Sequence, residues 1–347
     1  MFYESGYGLE NKKEFYYLEV APGQGQYTWV DYNDNKIKEL NEFEIAQFSD
    51  QAKYIRIYTP TNQYIKVLQN QFSLSTSIRP SSYIKKINST FKNVITRFIF
   101  QLNYRLDNKN ISINNFQQYN PFYNLNDSLL LAKNNNIRGS VFFNQSSQVF
   151  GLDYVFMNNQ SRQLLVNGLE NKELISHEGR IRLNFFKAWA LNSINTYSQK
   201  GNKSQLFSTR NYLIESYKTE NKLSFQPTTN YRVALNGNYE IKQNLIGIDI
   251  EKAIITTLGI EGKYNQTEKG SLNAKFDYIQ IIFNGNQNSS VGYEMLNALS
   301  NGSNYTWELS YERFLNKNIQ ISINYNGRKN GTSNIVHLGG AQVRAYF

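Results

Sequence analysis

Residues 231–242, which read YRVALNGNYEIK, place two kinds of side chain in alternation along the chain. One register holds Tyr231, Val233, Leu235, Gly237, Tyr239 and Ile241, and the other holds Arg232, Ala234, Asn236, Asn238, Glu240 and Lys242. Because successive side chains of a β-strand point to opposite faces, this period of two predicts a strand with one apolar and one polar face. The pattern lasts for twelve residues, about twice the usual length of a strand in a globular protein.

The same alternation recurs along most of the chain, and most of the strands carry Tyr, Trp or Phe near an end of the apolar face. It is found at 94–106, 151–158, 180–185, 254–264, 272–278, 305–312 and 319–326. Aromatic residues at the ends of an apolar band are typical of the two girdles of a membrane barrel. We therefore predict an all-β fold, an antiparallel transmembrane β-barrel of roughly 14 strands, complete or part of a larger barrel.

The connections between these strands alternate in length over the last third of the chain. Short turns are expected at 227–230, 266–270 and 315–318, and longer connections at 244–250, 284–304 and 327–334. A chain that meanders through an outer membrane has short periplasmic turns and longer outer loops. The alternation therefore favours a barrel over a soluble sandwich, and it puts the C-terminus on the periplasmic side.

Composition points the same way. Aromatic residues make up 15% of the chain, with 26 Tyr and 22 Phe, whereas charged residues make up only 18%. No run of about 18 apolar residues exists, which excludes transmembrane helices. Cysteine is absent, so disulfides and thiolate sites are excluded. The net charge is +10, but Lys and Arg are scattered, so we expect no nucleic-acid partner.

Catalytic chemistry finds little support in the sequence. The two histidines, His177 and His337, are far apart in the chain, and no phosphate-binding glycine pattern lies between a strand and a helix. No paired-carboxylate motif stands out. We expect no enzymatic activity and no catalytic residue, although catalytic residues scattered over several strands would leave no motif.

Charged residues of the polar register are the candidates for a pore lining. They are Arg97, Arg105, Arg182, Arg232, Glu240, Glu261, Lys263, Lys275, Asp277, Glu308, Glu312 and Arg344. In a barrel they would face the lumen and select solutes by charge. The alternative interpretation is an ion-pair network that only compensates buried charges.

Residues 1–50 differ from the rest and are predicted to form a small β-rich N-terminal segment, with the barrel at 51–347. A calcium-loop pattern lies within it, with Asp31, Asn33, Asn35, Ile37 and Glu42 at the ligand positions of an EF-hand-like loop. Lys36 stands where the pattern requires Gly. Calcium is thus one possible cofactor, and the alternative is an Asx-rich turn followed by a short helix at 39–48.

The chain ends in a further amphipathic stretch with Val343, Ala345 and Phe347 in one register. A terminal aromatic residue resembles the C-terminal insertion signal of outer-membrane barrels, although Ala345 stands where that signal has a larger side chain. The N-terminus has neither the basic nor the apolar region of a secretory signal. Since a barrel protein needs one, we expect the chain to be the C-terminal part of a longer precursor.

Four short stretches, 27–33, 54–61, 292–296 and 342–347, resemble the C-terminal part of large outer-membrane barrel proteins of the Bacteroidota, some of which serve secretion or gliding. The resemblance implies insertion by the barrel-assembly machinery, contact with outer-membrane lipid, and envelope or secretion proteins as partners. The first hypothesis is a channel, translocation or anchoring component of the outer membrane. The second is a secreted soluble all-β binding module, for example for polysaccharide.

Overall fold

The structure is a computed structural model that describes residues 1–83, 90–112, 116–123, 129–165, 168–247, 250–266, 269–316 and 318–346. The predicted all-β class is confirmed, because these residues form one large antiparallel sheet. Two short α-helices, α1 (Thr90–Ile95) and α2 (Ser290–Leu296), lie in connections between strands. No helix in the described ranges is long and apolar enough to cross a membrane.

Fourteen of the strands have ten residues or more. They are β1 (Phe2–Glu19), β4 (Tyr54–Ile78), β5 (Phe98–Ile111), β6 (Leu130–Phe143), β7 (Phe150–Leu165), β8 (Gly168–Phe185), β9 (Trp189–Ser204), β10 (Tyr212–Phe225), β11 (Tyr231–Asn244), β12 (Lys252–Gln266), β13 (Gly270–Asn284), β14 (Gly302–Phe314), β15 (Ile319–Asn330) and β16 (Val336–Ala345). Two strands of three residues, β2 (Tyr27–Trp29) and β3 (Phe43–Ile45), complete the sheet.

The sheet is a meander in which every strand from β5 to β15 pairs with the strands before and after it in sequence. On the other side of β4 lies β1, which pairs with β4 from Phe2 to Glu19, so the first strand belongs to the same sheet as the rest. The division at residue 50 therefore separates residues that hydrogen bonds join. In the described part of the chain β1 and β16 share no ladder, and they form the two edges of the sheet.

Connections at the two ends of the sheet differ in length, as the sequence predicts for the last third of the chain. One end, the short-turn end, carries 144–149, 186–188, 226–230, 267–269 and 315–318. The other, the long-loop end, carries 20–53, 112–129, 205–211, 245–251, 285–301 and 331–335. The exceptions are the long connection 79–97 at the short-turn end and, at the long-loop end, the close spacing of β7 and β8 and the connection 331–335, which is no longer than 226–230.

The predicted strand at 94–106 is wrong at its start. Residues 90–95 form α1, and β5 begins only at Phe98. Arg97 lies in the turn between them, where its N–H bonds to the carbonyl of Val94 at 3.1 Å and its own carbonyl accepts from Asn144. A short apolar run fits a helical turn as well as a strand, and the period alone does not separate them.

The two faces of the sheet have the reverse of the burial that is usual in a soluble protein. Leu235, Leu258 and Ile282 of the apolar register are 56%, 60% and 62% exposed. In the polar register, Lys242 and Asp277 are each only 7% exposed. The apolar register forms the outer face and the polar register the inner face.

The sheet curls around the connection 20–53, which we call the inner segment. Tyr27 pairs with Tyr54 of β4, while Asp50 binds Arg328 of β15 at 2.7 Å. In a flat sheet β4 and β15, eleven positions apart, would be separated by about 53 Å. Since Asp50 and Tyr54 are four residues apart, they can span at most about 14 Å. The inner face therefore encloses the inner segment.

Candidate functional site

Eleven of the twelve predicted pore-lining residues lie in strands and share the inner face; Arg97 does not. The register shows this directly, because Glu261 pairs with Lys275 and Lys275 with Glu308. The eleven are Arg105, Arg182, Arg232, Glu240, Glu261, Lys263, Lys275, Asp277, Glu308, Glu312 and Arg344. These residues lie in seven strands between β5 and β16, so period-two alternation located one face of the wall that the sheet forms.

Several charges of the inner face are paired with one another. Glu261 accepts hydrogen bonds from Arg232, at 2.9 Å, and from Lys222. Lys275 lies 2.7 Å from Asp277. These pairs match the ion-pair alternative, since each compensates a charge that is partly withdrawn from water. Beside these ion pairs, a cavity of about 520 Å³ lies along the inner face.

A second cavity, of about 280 Å³, separates the inner segment from the wall. Phe48 and Asp50 line it on one side, and Trp307 on the other. Lys275 and Asp277 line both cavities. Because they share these lining residues, the two cavities together form a chamber on the inner face that reaches from the middle of the sheet to the underside of the inner segment.

Aromatic packing holds the inner segment against β1. Phe43 is buried, and its ring stacks on Tyr17 of β1 with centroids 3.9 Å apart and an interplanar angle of 10°. Glu42, also buried, accepts hydrogen bonds from the Trp29 indole at 2.8 Å and from the N–H of Tyr32 at 3.3 Å. A buried carboxylate with these donors fixes the fold of the segment locally.

Two ion pairs join the inner segment to distant parts of the wall. The Arg328 guanidinium donates to both carboxylate oxygens of Asp50, at 2.8 and 2.7 Å, and lies 4.3 Å from the ring of Phe48. Arg210, in the connection between β9 and β10, donates to Glu44 at 3.2 Å. Planar bidentate pairing of the Arg328 type is the stronger geometry for an Arg and a carboxylate.

Helix α2 lies beside the inner segment and fills the same end of the sheet. Met295 and Leu296 pack on inner-face residues of β12 and β13, among them Ile255 and Ile281. Glu294 pairs with Lys200 of β9 at 2.5 Å. The connection 285–301 is thus turned inward, where its apolar side chains form the hydrophobic core of this end.

Tyrosines at the contact between α2 and the inner segment act as hydrogen-bond donors. Tyr293 donates to the carbonyl of Ile45 at 3.1 Å, and Tyr32 donates to Glu44 at 3.2 Å. Burial, together with the nearby carboxylate of Glu44, raises the pKa of Tyr293 to about 12. The same two causes hold the pKa of Tyr32 well above its usual range. Both hydroxyls therefore keep their protons at neutral pH.

The predicted calcium loop is an Asx-rich turn, and the structure does not show an EF-hand. Asp31 accepts from the N–H groups of Asn35 and Lys36 with its two oxygens, and Asn33 also accepts from Asn35. The Asn35 oxygen accepts from the N–H of Ile37, and both oxygens of Glu42 are bonded to protein donors. A 3₁₀ turn (Leu40–Glu42) and β3 replace the expected helix. The loop therefore has the hydrogen bonds of an Asx-rich turn, without the helix that follows the loop of an EF-hand.

The C-terminal stretch forms β16 at an edge of the sheet, with Val343 and Ala345 in it and Val343 strongly exposed. The N–H of Tyr346 bonds to the carbonyl of Asn318 at 2.7 Å, which fastens the end to the last turn. Phe347 lies outside the described residues.

Both histidines lie on the outer face among aromatic rings. The Tyr154 hydroxyl is 2.7 Å from Nδ1 of His177, and the Tyr325 hydroxyl is 2.8 Å from Nδ1 of His337. The described part of the chain contains no group of three or more His, Asp or Glu side chains that could hold a metal ion.

The anchors of the inner segment, Glu44, Asp50, Arg210 and Arg328, are absent from the predicted set. Asp50 and Arg328 are 278 residues apart, so no local spacing relates them. Only the acidic character of the inner segment could have drawn attention to it. A comparison of the sequence with family models gives no match, and a comparison with curated proteins gives none either.

Proposed function

We propose that the chain is an outer-membrane β-barrel that acts as a channel, translocation or anchoring component of the bacterial envelope. The single observation that carries the proposal is the reversed burial of the two faces, with Leu235 exposed and Lys242 buried. Exposing a polar face to water is not unfavourable, whereas exposing a continuous apolar face to water costs free energy. Lipid is the solvent that suits such a surface.

Two rows of aromatic residues on the outer face support this. The row farther from the short-turn end contains His177, Tyr197, Tyr217, Tyr239, Tyr278, Tyr305 and Tyr325, and the row at the short-turn end contains Phe98, Phe143, Phe185, Trp189, Phe225, Tyr231, Tyr264 and Tyr311. Along β11 the rows are eight residues apart, or roughly 27 Å of strand. At a tilt of about 40° this gives a band roughly 21 Å high, close to the apolar band of outer-membrane barrels.

The lengths of the connections support an orientation. Since outer-membrane barrels have short periplasmic turns, the short-turn end would lie in the periplasm and the inner segment at the outer mouth. Outer-membrane lipid and the barrel-assembly machinery are then the expected partners. Closing the wall requires that β1 and β16 pair with each other or with further strands, because an unpaired edge is costly in lipid.

Membrane partition tests the proposal. The full chain, refolded in detergent and mixed with preformed phospholipid vesicles, is expected to float with the vesicles and to resist extraction by alkaline carbonate. It is also expected to migrate faster in electrophoresis before boiling than after. Recovery of folded protein in the aqueous fraction without detergent would contradict the barrel and favour the soluble binding module.

A further inference from the structure

We propose that the inner segment occupies a binding site for an acidic polypeptide at the long-loop end of the chamber, and that an acidic peptide from outside the chain exchanges with it. The proposal rests on the proposed function, since exchange matters only if the inner face lines a passage. It names the class of ligand that this passage admits.

The charges of the segment and the wall are complementary. The inner segment carries six carboxylates and three lysines, namely Asp31, Asp34, Glu39, Glu42, Glu44 and Asp50 against Lys36, Lys38 and Lys53. Two ion pairs between the wall and the segment place an arginine on a carboxylate, Arg210 on Glu44 and Arg328 on Asp50, and the Arg56 guanidinium lies 5.6 Å from the ring of Tyr27. Glu19 of β1 pairs with Lys38 in the opposite sense, but both of those side chains are exposed, whereas Arg210 and Arg328 are largely buried. The wall is therefore built for an acidic occupant.

Contacts to the main chain indicate a polypeptide and not a small anion. Arg210 donates to the carbonyl of Phe43 at 3.1 Å as well as to Glu44. Tyr293 donates to the carbonyl of Ile45, and the Asn288 side chain donates to the carbonyl of Tyr32 at 3.0 Å. Every peptide has such carbonyls, so these donors would serve another extended chain equally well.

Replacement of the inner segment by another acidic peptide is favoured over displacement of the segment alone, because displacement alone leaves the arginines of the wall without partners. The side chains of Arg328 and Arg210 are only 9% and 14% exposed. Removing one partner of such a pair leaves a charge that is largely withdrawn from water, and this is strongly unfavourable. A second carboxylate that arrives as Asp50 or Glu44 leaves avoids that penalty. The cavity of about 280 Å³ that Asp50 lines provides space for the segment to move away from Arg328.

The test uses the full chain in planar phospholipid bilayers and a synthetic peptide of residues 41–51, NEFEIAQFSDQ. The double variant Glu44→Gln, Asp50→Asn keeps the shape of both side chains but removes their charge. We expect it to conduct several-fold more than the unmodified chain. Peptide added on the long-loop side is expected to block it. A control peptide with Gln and Asn at the same two places should bind about 30-fold more weakly, as expected for the loss of partly buried charge pairs.

A second double variant, Arg210→Gln, Arg328→Gln, removes the wall's half of both pairs. This variant is also expected to conduct more than the unmodified chain, but the acidic peptide should block it no better than the control peptide does. Thr306→Cys provides an independent readout, because Thr306 lines the cavity behind the segment and the chain has no other cysteine. A membrane-impermeant maleimide should label this cysteine faster when the charges of Glu44 and Asp50 are removed.

Two results would overturn the proposal. One is unchanged conductance together with unchanged labelling of Thr306→Cys in the Glu44→Gln, Asp50→Asn variant, which would make the segment a fixed part of the wall. The other is equal block by the acidic and control peptides. Failure of the proposed function looks different, because a chain that is no membrane barrel would not enter vesicles at all.

Discussion

Replacing Leu235 with arginine tests whether the outer face contacts lipid. Leu235 is 56% exposed and lies between Leu223 and Ile260 on the neighbouring strands. It is four residues from Tyr231 and four from Tyr239, which puts it midway between the two aromatic rows. An arginine at the midplane of an outer-membrane barrel costs about 2–4 kcal/mol, which lowers the folding equilibrium constant roughly 30- to 900-fold.

The same substitution in water would behave differently, because exposed positions of soluble proteins usually tolerate a change within about 0.5 kcal/mol. The assay is reversible guanidinium unfolding from phospholipid vesicles, followed by the fluorescence of the three tryptophans. Asn236→Arg is the matched control, since Asn236 is the next residue in sequence but lies on the inner face by the chamber. Equal costs at Leu235 and Asn236, or no cost at either, would refute the assignment of the faces.

Two further perturbations test the packing at the long-loop end. Met295→Ala is expected to lower the free energy of unfolding by about 2–5 kcal/mol, because the side chain is fully buried against Ile281. In the same assay Leu245→Ala should cost less than about 0.5 kcal/mol, because its side chain is 44% exposed. A similar loss for both variants would contradict the burial of Met295. Tyr293→Phe removes a group whose pKa is raised from 10.0 to about 12. The protonated hydroxyl therefore adds stability that is fully present below pH 10 and is lost as pH rises through 12. The variant should lack that part of the alkaline decline in its unfolding midpoint, and an identical decline in both proteins would argue against the buried hydroxyl.

The wall of this protein could be predicted from its sequence, because the period-two pattern is local. Alternation of side chains in each strand assigned Glu261, Lys275 and Glu308 to one face without knowledge of their partners. Short turns then forced neighbours in sequence to become neighbours in the sheet. The same reasoning failed at Arg97, where a single helical turn and a strand fit the same few apolar residues.

The conformation and contacts of the segment inside the sheet could be determined only from the tertiary structure. An Asx-rich loop has the same oxygen spacing as a calcium loop, and only the tertiary structure shows that a 3₁₀ turn and β3 follow it where a helix was expected. The pairing of Asp50 with Arg328 depends on how far the sheet curls, which is set by many strands together. Sequence by itself therefore determined the all-β class and the two faces of the strands that it located, whereas the tertiary structure decided that β1 joins the same sheet, that an acidic segment lies inside and which arginines hold it. The physical reason is range: alternation acts between adjacent residues, but an ion pair across 278 residues exists only after the sheet has curved.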